Sequence, residues 1–102
     1  MRSNKYDDVP AHDWQTWAEE NDAIILDVRE PNEWRQGTLP DSELISMRDL
    51  PARVSDFDKN TAILCVCRSG NRSGQVAAFL SHNGYGKVAN LVGGLKALGM
   101  QR

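Results

Sequence analysis

At 102 residues, with 40% hydrophobic and 25% charged side chains, the chain is expected to fold as one ordinary domain over residues 1–102. A formal net charge of -2 excludes a broad basic field for nucleic acid, and no apolar run approaches the roughly 18 residues of a membrane span. Residues 1–10 (MRSNKYDDVP) also lack the apolar stretch of a signal peptide, so the expectation is a cytoplasmic protein with neither nucleic-acid nor membrane partners.

Residues 6–9 read as a short strand. Pro10 suits a helix's first turn, Trp14, Trp17 and Ala18 fall on one face of that helix, and Asn21 and Asp22 stop it. Residues 23–28 (AIILDV) form a continuous apolar run with β-branched members, the mark of a strand buried on both faces of a parallel sheet. A short helix over 31–36, a turn over 37–41, a brief strand at 43–45 and another short helix over 47–54 follow. Residues 61–66 repeat the buried-strand pattern. Ser73 is placed to cap a helix through His82, with Val76, Ala77, Phe79 and Leu80 facing the sheet and Gly84 ending it in the left-handed conformation. Residues 88–92 return as a strand, and Gly93 and Gly94 lead into a last helix ending near Leu98. The alternation predicts an α/β fold with about five parallel strands and helices on both faces.

The two cysteines, Cys65 and Cys67, share one face of a strand about 6.5 to 7 Å apart, too far for an unstrained disulfide. They do not complete a four-ligand metal set, and His12 and His82 show no ligand spacing to them, so no metal is expected. Both histidines read as surface residues. Cys65 lies within the apolar run and reads as a small buried hydrophobe. Cys67 ends that run and opens the polar loop CRSGNRS, an exposed position where packing gives no reason for a thiol. Ligands of such sheets bind where strands give way to helices, at their carboxyl ends. Gly70 and Asn71 tolerate positive φ, so the loop can curl until successive N–H groups cradle the sulfur, with the following helix N-terminus adding partial positive charge. Arg68 and Arg72 are expected to reinforce the thiolate and to offer donors to an anion, which makes Cys67 a candidate nucleophile without a histidine base.

These residues resemble the active-site loop of the single-domain rhodanese-like sulfurtransferases, cysteine first and six residues long. The resemblance extends from about residue 8 to 98, the expected core. DVREPNEW, residues 27–34, resembles the family's motif after its second strand; GTLP, residues 37–40, resembles the segment usually written G-H-I-P-G-A; NLVGG, residues 90–94, matches the lead into the last helix. Thr38 stands for the family's usual histidine, Asp41 for a glycine and Leu98 for a tryptophan. Asp27 and Arg29 straddle the end of a buried strand and read as architectural, paired with backbone or with Glu30 or Glu33, and Trp14, Trp17 and Trp34 read as packing residues.

The resemblance implies sulfur transfer without a cofactor. Cys67 would take sulfane sulfur from a small anionic donor, thiosulfate or a persulfide, and pass it to cyanide or a thiol, a protein thiol included. Arg68, Ser69, Gly70, Asn71, Arg72 and Ser73 would bind the substrate. A non-catalytic sulfur-carrier or partner-binding module is the alternative. A phosphatase or arsenate reductase is a further one, but those loops place five residues between cysteine and arginine, and here four separate Cys67 from Arg72.

Overall fold

The computed structural model describes residues 6–100. Five parallel strands form one sheet in the order β1-β5-β4-β2-β3, with β1 at Asp7–Val9, β2 at Ile24–Asp27, β3 at Glu43–Leu44, β4 at Ile63–Val66 and β5 at Val88–Leu91. Period-two alternation divides the side chains of the central strands between the two faces. Leu26, Ile63, Cys65 and Val88 meet Leu50, Val76, Ala77 and Leu80 on one face. Ile25, Leu64, Val66 and Leu91 meet Leu95 and the rims of Trp14, Trp17 and Leu98 on the other. The first layer brings α3 (Leu50–Arg53) and α4 (Asn71–His82) and the second brings α1 (Trp14–Glu20) and α5 (Gly94–Ala97), so helices cover both faces as the apolar runs predict. Among the described residues no helix is long and apolar enough to cross a membrane.

Several boundaries differ from expectation. Pro10 leads into a 3-10 turn at Ala11–Asp13 before α1 begins at Trp14. The helix expected over 47–54 shrinks to α3, continued by a 3-10 turn at Val54–Asp56. β5 stops at Leu91, leaving Val92 exposed. The correction that matters most is at α4: it starts at Asn71, with Gly70 as its N-cap at φ 96°, so Ser73 is not the cap but lies buried inside the first turn. A left-handed residue there suits glycine, and it turns the chain out of the loop three residues earlier than a cap at Ser73 would. At the other end Gly84 takes φ 95°, the expected left-handed stop.

Asp41, standing where the resembled motif has glycine, holds φ 63°. Aspartate is among the few side chains that visit this region, so the backbone keeps its course through the turn. Short α2 (Pro31–Trp34) has proline in its first turn and a reciprocal cap in which the Glu33 carboxylate accepts the Glu30 N–H at 3.0 Å. Behind it Asp27 and Arg29 form a buried bidentate pair, with Nη2 donating to Oδ2 at 2.8 Å and Nε to Oδ1 at 3.0 Å. Arg29 also donates to the carbonyl oxygens of Gly37 at 2.7 Å and Glu33 at 3.3 Å, so one guanidinium ties the end of β2 to α2 and to the turn after it. Asp27 and Arg29 are thus paired with each other and, through Arg29, with backbone carbonyls, rather than with the Glu30 or Glu33 carboxylate.

Candidate active site

β4 delivers Cys67 one residue beyond its carboxyl end, and the chain crosses over it before entering α4. The sulfur accepts the Gly70 N–H at 3.1 Å and the Ser73 N–H at 3.3 Å, with the Ser73 hydroxyl at 3.2 Å. The loop is held in this curl from outside. The first turn of α5 donates Leu95 N–H to the Cys67 carbonyl at 2.9 Å and Lys96 N–H to the Arg68 carbonyl at 3.0 Å. With their carbonyls turned outward toward α5, the loop residues leave N–H groups free to face the sulfur. Gly94, at φ 64°, makes that approach possible, because a Cβ there would land on the carbonyl oxygens of Cys67 and Arg68. This is the physical reason for the second glycine of NLVGG, whereas a Cβ at Gly93 would meet Ala97 Cβ at 2.8 Å.

Cys67 is 0% exposed, which overturns the expectation of an exposed thiol: its sulfur sits under its own loop and belongs to the cluster on the α4 face. Burial alone would push its pKa up. The Ser73 hydroxyl and the N–H groups of Ser73, Gly70 and Ser69 outweigh burial, and the thiol titrates below its ordinary value. Cys65, two residues back on the same face, has no such donors, and burial pushes its thiol far up. Two thiols on one strand are thus separated by environment alone.

The arginines act differently from expectation. Neither donates a hydrogen bond to the sulfur among the described residues. Arg72 makes a two-pronged pair with Glu33 of α2, at 2.7 and 2.9 Å, and its pKa is raised chiefly by that bond, with the Cys67 charge a lesser contributor. The Arg68 side chain makes no ion pair with a described residue and lines a cleft of about 160 Å³ with Arg29, Gln36, Gly37 and Met100. Ser69, Gly70 and Asn71 line a second, wider cleft on the opposite flank, together with Asn90 and Val92. Of the residues from Cys67 to Ser73, Cys67, Ser69, Gly70 and Ser73 therefore meet at the sulfur, while Arg68, Asn71 and Arg72 face outward.

Three further residues complete the surroundings. Glu33 fixes Arg72, and Asn90 of β5 accepts the Ser73 hydroxyl at 2.6 Å while its amide nitrogen reaches Asp8 of β1 at 3.4 Å. Asn90 had a signal in the sequence: it is the polar member of an otherwise apolar strand, VANL, and a buried amide there needs partners.

The Glu33–Arg72 pair gives a pH-dependent prediction. The Arg72 hydrogen bond, opposed by burial and aided by the Glu30 N–H, holds the Glu33 carboxyl at about 2 against an ordinary 4.5. A depressed carboxyl stabilises the fold fully above its unfolded value and loses that contribution as pH falls through the folded value, a window from about 4.5 to about 2. Side chains 30% and 21% exposed are partly screened, so we expect roughly 1–2 kcal/mol. Denaturant unfolding of the parent and Glu33→Gln should show a stability gap that closes through this window; a gap independent of pH contradicts the assignment.

Comparison with known proteins agrees with this geometry. The family model for the rhodanese-like domain matches residues 11–101. The chain belongs to the rhodanese-like family. A sulfurtransferase of Allochromatium vinosum is 41% identical over 83 residues, covering 81% of this chain and 78% of that protein. The thiosulfate sulfurtransferase GlpE of Pseudoalteromonas translucida is 29% identical over 79 residues, 78% of this chain and 75% of its own. The crystal structure of a rhodanese-like domain protein from Staphylococcus aureus superposes with a TM-score of 0.81 at 30% identity, covering 89% of each chain. The rhodanese-like sheet with helices on both faces is thus shared, and relatives of this chain carry the name sulfurtransferase.

Proposed function

We propose that this rhodanese-like protein is an enzyme that carries sulfane sulfur as a persulfide on Cys67. The Cys67 thiolate attacks the outer sulfur of thiosulfate, a new S–S bond forms, and the bond to the sulfonate sulfur breaks with its electron pair leaving on sulfite. The terminal sulfur of the persulfide, an anion, is then attacked by cyanide or a thiol; that sulfur leaves with the acceptor and the Cys67 thiolate returns. Charge stays at the loop throughout, and this is what N–H donors at the amino end of a helix stabilise. The observation that carries the reading is the convergence of the Gly70 and Ser73 N–H groups and the Ser73 hydroxyl on one sulfur whose pKa lies below the ordinary thiol value.

Arg68, which lines its cleft without an ion pair to a described residue, gathers the donor anion, while Ser69, Gly70 and Ser73 receive the transferred sulfur. Asn71 and Arg72 shape the loop. The buried thiol requires the loop to part slightly for the donor, which favours small sulfur species and exposed thiols of protein acceptors. A phosphatase reading is disfavoured because Arg72, the arginine that would grip phosphate, is already taken up by the Glu33 carboxylate. A cytoplasmic location suits a nucleophile that must remain reduced. Steady-state kinetics with thiosulfate and cyanide test the scheme: two half-reactions sharing one covalent intermediate give parallel double-reciprocal lines. Intersecting lines would place both substrates on the protein at once and remove the persulfide carrier.

A further inference from the structure

The Ser73 hydroxyl has one proton and two claimants. Asn90 Oδ1 lies 2.6 Å from its oxygen and the Cys67 sulfur 3.2 Å. The orientation of the Asn90 amide is set by its other neighbour, since the Asp8 carboxylate accepts only, so the NH2 end turns to Asp8 and the oxygen to Ser73. The sheet builds this alignment. Asp8, Asn90 and Cys65 are register partners across β1, β5 and β4 and share the face on which α4 sits. Gly74, on the next step of α4, packs beside the same amide, where a Cβ would meet Asn90 Nδ2 at 3.5 Å, an ordinary contact.

We propose that Asn90 is a positioning residue for the reactive sulfur: its carbonyl oxygen, oriented by Asp8, withholds the Ser73 hydroxyl proton from Cys67 until that sulfur is anionic. In the thiol state the hydroxyl donates to Asn90, and its oxygen is free to accept the S–H. When the thiol proton leaves for water, the hydroxyl turns and donates to the thiolate, giving up its short bond to the amide. Ionisation of Cys67 is thereby opposed by the strength of the Ser73–Asn90 bond. On persulfide formation the charge moves to the outer sulfur and the hydroxyl returns to Asn90. That last part rests on the sulfur-transfer reading; the competition for the proton does not.

Other titratable and charged groups on the surrounding elements must be separated from this effect. They are Cys65 on β4, Arg68 in the loop, Arg72 on α4 with Glu33 of α2, the Asp27–Arg29 pair after β2, Lys96 on α5 and Asp8 on β1. The experiment compares the pH midpoint of iodoacetamide alkylation, followed on the Cys67 peptide, for Asn90→Leu made in the parent and in Ser73→Ala. Without Ser73 there is no proton to withhold, so the leucine's changed polarity acts equally in both backgrounds. The midpoint should be lowered further in the parent background by at least about half a pH unit, or about threefold more thiolate at low pH. Equal shifts in the two backgrounds, or a smaller lowering with Ser73 present, overturn the proposal. Asp8→Asn, at an exposed position, is the second variant should Asn90→Leu fail to fold. Loss of the Asp8 charge lowers the midpoint in either background, and an extra lowering that needs Ser73 supports the proposal, whereas identical lowering reduces Asp8 to its charge. Because alkylation requires no sulfur donor, absence of sulfur transfer would leave this result standing, and the reverse is equally true.

Discussion

Cys67→Ser is expected to lower thiosulfate:cyanide transfer by at least about a thousandfold, equivalent to roughly 4 kcal/mol of transition-state stabilisation. A serine hydroxyl in the same cradle is neither ionised near neutral pH nor able to hold a sulfur as a readily cleaved S–S bond. Cys65→Ala is the matched control. Cys65 is equally buried, lies two residues away on the same face, and has its thiol pushed up by burial rather than drawn down by donors. Its removal should cost stability through a small void and leave most of the transfer rate in the folded fraction. Steady-state rates of the two variants, each with a thermal melt, check the contrast. Comparable losses in both would mean that the loop donors do not select the nucleophile.

Arg29→Leu is expected to destabilise the fold by about 3–5 kcal/mol, because it leaves the Asp27 carboxylate, 0% exposed, without its buried cation. The same guanidinium satisfies the carbonyl oxygens of Gly37 and Glu33, so the end of β2, α2 and the turn after it lose their common tie. Removing both charges in Asp27→Leu/Arg29→Leu should recover part of the loss, since the orphaned carboxylate is gone while the backbone tethers are not restored. Urea unfolding of the three proteins decides the matter. A single variant within about 1 kcal/mol of the parent would show that water or another group already compensates Asp27.

What the sequence made legible and what it hid follow a physical division. The runs AIILDV and residues 61–66 declare central parallel strands, because a strand buried on both faces has no polar alternation to show. Cys67 is legible as the place where such a run meets a polar, glycine-containing loop. The burial of its sulfur is not, because it depends on the curl of the loop, which backbone bonds from α5 hold, and on the cluster of the α4 face, elements distant in the sequence from the run itself. The start of α4 is misread for a related reason. A serine ahead of an apolar run is an ordinary cap signal, but here Gly70 in the left-handed region starts the helix early and commits Ser73 to the sulfur. The two arginines look equivalent in CRSGNRS. They are separated by a partner 39 positions away, Glu33, whose local signature is only that of a helix cap. The motif resemblance supplies the family, and the departures at Asp41 and Leu98 are absorbed without altering the course of the chain: the first in its left-handed turn, the second packed against the outer cluster.

The central claim is that Cys67 carries the sulfur, and intact-mass measurement after thiosulfate treatment tests it most directly. The parent should gain the mass of one sulfur atom, lose it to dithiothreitol or cyanide, and show the adduct on the Cys67 peptide, while Cys67→Ser gains nothing. An unmodified parent under conditions where it turns over thiosulfate, or an equal gain in Cys67→Ser, would contradict it.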